Sequence, residues 1–82
     1  MYEIVLTETA EKQLRKLESS IQERIINALE RLRFRPEMYV TKLVGDPALK
    51  FRVGDYRILL DIDQVKLIIL VIKIAHRKSV YD

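Results

Sequence analysis

Along the 82-residue chain the spacing of apolar positions changes character twice. Tyr2 to Leu6 alternates, with Tyr2, Ile4 and Leu6 on one side, which predicts a short strand. Thr7 then stands where a helix N-cap belongs. Glu8 and Glu11 fall in the first turn and Arg15 and Lys16 in the last, the signs the helix dipole favours. Ala10, Leu14 and Leu17 form the apolar stripe of this helix. Ser19-Ser20 interrupts the stripe, and Ser20-Ile21-Gln22-Glu23 reads as a capping box opening a second helix. Ile21, Ile25, Ala28, Leu29 and Leu32 carry its inner face, and Pro36 stops it near Arg33–Phe34. So short a connection predicts an antiparallel αα-hairpin.

From residue 49 the period drops from 3.6 to two. Leu49, Phe51 and Val53 alternate with Lys50 and Arg52. Gly54-Asp55 is a two-residue hairpin turn with glycine in the first central position. Tyr56, Ile58, Leu60 and Ile62 continue the apolar face, opposite Arg57, Leu59 and Asp61. After a polar turn at Asp63-Gln64, Leu67 to Ala75 is the most apolar segment and is expected to be a central strand. The expected fold is α+β: an N-terminal strand, an αα-hairpin and a three-stranded antiparallel meander, with the helices on one sheet face. Residues 1–82 are read as a single domain without repeats or linkers.

Parity sets what the helices leave uncovered. Lys50, Arg52 and Arg57 occupy the open face on two strands joined by a tight turn. Lys73 shares the odd-numbered side of the last strand with Leu67, Ile69 and Val71, and Arg77 continues that parity. Cations packed this closely repel unless an anion is shared, and arginine forks suit phosphate oxygens. The alternative is a strand face kept soluble by its charge. Val5, Leu59, Ile69 and Val71 are placed on the same side as an apolar patch for a partner, or as residues screened by neighbouring chain. His76 follows the even-numbered, core-facing side. Tyr81 stands among several cations, which stabilise a phenolate and lower its pKa.

Composition narrows the classes. With no cysteine and a single histidine, a disulfide scaffold, a thiolate zinc site and a multi-imidazole metal centre are all excluded. Neither metal nor cofactor is expected. The longest apolar run, Leu67 to Ile72, is far shorter than the roughly 20 residues of a membrane span. No signal peptide is visible, so a cytoplasmic location is expected and no membrane partner. The net charge is only +3, yet residues 1–41 are balanced and the whole excess lies in residues 42–82. Such asymmetry points to a polyanionic partner.

The stretch from Lys42 to Tyr81 resembles the RelE/ParE toxin superfamily of prokaryotic toxin–antitoxin modules. The likeness rests on Lys42-Leu43-Val44-Gly45, on Arg52-Val53-Gly54-Asp55-Tyr56-Arg57, and on His76-Arg77 followed by Val80-Tyr81. It implies a RelE-like, microbial-ribonuclease-like fold. It also implies a metal-independent, ribosome-dependent endoribonuclease that cleaves mRNA in the ribosomal A site by attack of a 2′-hydroxyl on the adjacent phosphate. By that resemblance Tyr81 is the general base, Arg57 stabilises the phosphorane, and Arg77 is the proton donor, with His76 the better acid on pKa grounds. Lys50 and Arg52 support the phosphate and the phenolate, and Lys73 lies beside them. The implied partners are a RelB-like antitoxin, the ribosome and mRNA. Two other readings share the fold: a ParE-like inhibitor of DNA gyrase, and an inactive relative that only binds an antitoxin.

Overall fold

The computed structural model describes residues 1–42, 45 and 47–76. Strand β1 (Glu3–Leu6) leads into helix α1 (Glu8–Arg15) and helix α2 (Ser19–Leu32). A 3-10 turn (Pro36–Met38) precedes a short strand β2 (Val40–Lys42), and β3 (Leu49–Val53), β4 (Tyr56–Asp63) and β5 (Ile68–His76) complete the sheet. The strand order is β1-β5-β4-β3-β2. The last three strands are the expected antiparallel meander, and β1 runs parallel to β5 on its far side. The sheet also gains β2, three residues pairing with β3, which alternation across only three positions could not announce.

Both helices lie on one face. Helix α1 approaches β5 and β1, and α2 approaches β3. Between them and the sheet, Ile25, Leu32, Ile58, Leu60, Ile69 and Val71 are fully buried. Tyr2, Ile4, Leu6, Leu14, Leu17 and Ile21 pack around that core, as their spacing predicts.

Side chains finish the hydrogen bonding that the ladders leave open. Thr7 Oγ1 accepts from Ala10 N at 3.1 Å, capping α1, and donates to Ile72 O at 2.8 Å. Gln13 Oε1 accepts from Ile74 N at 2.7 Å. The chain leaves β1 at Leu6, so the β5 edge is bare beyond Val71, and these two side chains take over from the strand. The capping box expected at Ser20 is absent: α2 begins at Ser19, with Glu18 at the N-cap and no side-chain cap bond. Gln22 instead donates to Leu17 O at 2.7 Å, so the short connection leaves its side chain capping α1 rather than its own helix.

One irregularity reorganises β5. Leu59 pairs with Lys73, yet Leu60 pairs with Val71, so Ile72 is an extra residue on β5. The bulge reverses parity along the strand. Ile69 and Val71, expected on the open face, are fully buried in the core. Beyond the bulge the expected parity holds, with Lys73 exposed and Ile74 buried.

Candidate functional site

The β3–β4 hairpin builds the centre of the open face. Val53 and Tyr56 close a two-residue turn, and Gly54 takes the positive φ of 57° that a hairpin turn requires at its first central position. The closing pair of such a hairpin exchanges both backbone bonds, so the next pair, Arg52 opposite Arg57, is a non-hydrogen-bonded one. Side chains stand closest at such pairs, which sets two guanidinium-bearing residues side by side. Arg52 is exposed and its Nε donates to Gly54 O at 3.3 Å. Arg57 is half-buried.

One row further along, Lys50 and Lys73 flank Leu59 from either side. Lys50 is half-buried and Lys73 exposed. Two adjacent rows across three strands thus bring together Lys50, Arg52, Arg57 and Lys73. The bulge is what delivers Lys73, because without the extra residue at position 72 one parity could not both bury Val71 and expose Lys73. His76 does not join them. It pairs with Tyr56 and its ring meets the tyrosine ring edge-on, with centroids 5.1 Å apart, on the side of the sheet that Ile74 shares. Arg77 and Tyr81 lie outside the described residues.

The apolar patch is present with different members. Val5 is 37% exposed and Leu59 half-buried. Ile69 and Val71 are replaced there by Ile68, Leu70 and the bulged Ile72, because the register change turns the even-numbered residues outward. Leu70 pairs with both Val5 and Asp61, and Ile68 with both Glu3 and Asp63. Shallow grooves run beside Leu59 and Ile72, and between Val5 and Leu70. The face is therefore graded, with cations around the hairpin, apolar side chains in the middle, and Glu3, Asp61 and Asp63 at the other end. Among the described residues no three of His, Asp and Glu stand close enough to hold a metal ion. Among the same residues, no helix is long and apolar enough to cross a membrane.

Comparison with known proteins places this geometry in context. A family model described as "ParE toxin of type II toxin-antitoxin system, parDE" matches residues 4–81. No curated protein sequence matches the chain. Among solved structures, the chain resembles one from the toxin–antitoxin complex RelBE2 of Mycobacterium tuberculosis. The two share 26% identity over 93% of this chain and 98% of that one, with a TM-score of 0.85. It is also similar to a chain of the intact E. coli RelBE toxin–antitoxin complex, at 28% identity over 93% and 96% of the chains and a TM-score of 0.75. The isolated E. coli RelE toxin matches at 28% identity over 99% and 92%, with a TM-score of 0.78.

Proposed function

The chain belongs to the ParE toxin family of type II toxin–antitoxin systems, and from that premise we propose that it is a ribosome-dependent endoribonuclease that cleaves mRNA. The observation that carries this reading is the convergence of Lys50, Arg52, Arg57 and Lys73 on two adjacent rows of one open face. A phosphodiester undergoing attack gains negative charge on its non-bridging oxygens, and fixed cations placed around it favour that state over the ground state.

In the proposed reaction the ribose 2′-oxygen bonds to the adjacent phosphorus. The 5′-oxygen of the following nucleotide leaves, taking a proton and giving a 2′,3′-cyclic phosphate and a 5′-hydroxyl. Arg57, half-buried at the centre of the cluster, holds the phosphorane oxygens, and Lys50, Arg52 and Lys73 neutralise the flanking charge. Tyr81, as phenolate, takes the 2′-hydroxyl proton, and Arg77 supplies the proton that the leaving oxygen takes. His76 is not assigned a step, since its ring packs on Tyr56 across the sheet.

The inhibitory partner we propose is an antitoxin, as in the RelBE complexes that the chain resembles. An amphipathic segment of that antitoxin would lay its apolar side on Val5, Leu59, Leu70 and Ile72 and answer the cations with carboxylates.

Cleavage mapping in a translation extract tests the enzyme. Cuts within codons that need ribosomes are expected. Arg57→Ala should slow them by about 10²–10³-fold, the usual loss when one transition-state donor is removed. Arg57→Lys should restore only part, because a point charge replaces a fork. A second reading, ParE-like inhibition of DNA gyrase, draws on the ParE description of the matching family model. Absence of cuts together with arrested gyrase would establish that reading instead.

A further inference from the structure

A cleft of about 250 Å³ opens on the helix side of the hairpin, between α2 and the end of β3. Arg24 and Arg31 stand two helical turns apart on its rim, and the small, buried Ala28 between them leaves the space open. A Cβ built on Gly54 would lie 3.2 Å from each of Cζ, Nη1 and Nη2 of Arg24. Equal distances to three coplanar atoms mean that the guanidinium lies face-on to the glycine. Its N–H donors lie in the plane and point elsewhere, so holding Arg24 in place consumes none of them. Among the described residues, neither Arg24 nor Arg31 makes an ion pair or hydrogen bond.

Arg52 also lines the cleft and spends only its Nε on Gly54 O, which leaves its terminal amino groups available. No carboxylate is among the lining residues. One wall is Tyr39, 48% exposed, whose ring is braced edge-on against Phe51 at 6.4 Å. Three guanidinium groups without a counter-charge raise one another's energy, and the cost is recovered only when an anion is shared. An exposed aromatic wall beside them offers a stacking platform.

From this cleft we infer that the protein carries a second ligand site, for a nucleotide: the phosphate is held by Arg24 and Arg31, and the base or ribose lies against Tyr39. The site is on the opposite side of the sheet from Lys50, Arg57 and Lys73, with Arg52 reaching its rim over the hairpin end, where its Nε meets Gly54 O, and it stands whether or not the open face cleaves RNA. The same chemistry is presented by a free mononucleotide and by one residue of a single strand.

Binding by the full-length protein, measured by calorimetry and fluorescence anisotropy, separates these sources and tests the site. The probes are adenosine 5′-monophosphate and a 2′-O-methylated oligoribonucleotide, which cannot undergo 2′-hydroxyl attack and so reads binding without catalysis. Arg24→Gln with Arg31→Gln should weaken oligonucleotide binding at least ~10-fold. It should also flatten the log–log salt dependence by about 0.7, the share of one phosphate contact on a single strand. Tyr39→Ala should cost about fivefold or more, the lower range for one stacked base. Arg24→Lys should recover part of the affinity. Lys12→Gln with Lys16→Gln, an equal charge change on α1, should leave binding within about twofold. Saturable monophosphate binding that Arg24→Gln with Arg31→Gln abolishes identifies a mononucleotide site. Loss confined to the oligonucleotide identifies a strand site, and either result supports the inference. Equal weakening by the α1 control, undiminished binding in the cleft variants, or no binding of either probe overturns it.

Discussion

Thr7 serves two elements with one hydroxyl. Its oxygen accepts the Ala10 amide as the N-cap of α1, and its proton goes to the carbonyl of Ile72, 65 residues away. Thr7→Ala therefore removes a cap and an edge bond together, and thermal or urea unfolding should show a loss of about 2 kcal/mol, the upper end for a cap alone. Leu67 is the opposite case, a residue whose backbone conformation its side chain resists. Its φ of 57° is left-handed, held by a loop in which Asp63 Oδ1 accepts the amides of Val65 and Lys66. Its own carbonyl receives Glu3 N at 2.9 Å, so the turn cannot relax without loosening β1. Leu67→Gly should raise stability by roughly 1 kcal/mol in the same unfolding assay, since glycine meets no Cβ clash there.

At the scale of the element, the bulge in β5 decides which residues any partner meets. Ile69→Asp would place a charge in the core and should leave no folded protein. Leu70→Asp, one position along, faces the open side opposite Asp61 and should lower the melting temperature by only a few degrees, with a native circular dichroism spectrum, while abolishing antitoxin capture. Interchanged outcomes would show that β5 has no bulge. The helices, the Gly54 turn and the placement of Lys50, Arg52 and Arg57 were all legible in the residues, because each rests on a local period. The faces of Ile69 and Val71 were not. A run of six apolar residues has no alternation to read, and the bulge is fixed by Leu59 and Leu60 across the ladder and by Thr7 and Gln13 from distant segments. Glu18 at the head of α2 was hidden for a related reason: Ser19 and Ser20 are both good caps on paper, and the tertiary path of the connection chose neither.

For the molecule as a whole, the strand order governs where stability resides. β4 and β5 each have neighbours on both sides, whereas β2 is three residues at an edge. Native-state hydrogen exchange should therefore protect the amides of Ile58, Leu60, Ile69 and Val71 to the full unfolding free energy, with those of β2 exchanging through cheaper local openings. Uniform protection across the sheet would contradict that order. The parallel pairing of β1 with β5 carries a consequence for the timing of synthesis. Strand β1 has no partner in the sheet until Ile68 to Val71 have been made, and the Thr7 and Gln13 bonds that tie α1 to β5 wait for Ile72 and Ile74. A nascent chain ending before Ile68 holds the cationic hairpin but neither the Lys73 row nor the buried strand beneath α1. Prematurely terminated products thus lack the assembled face.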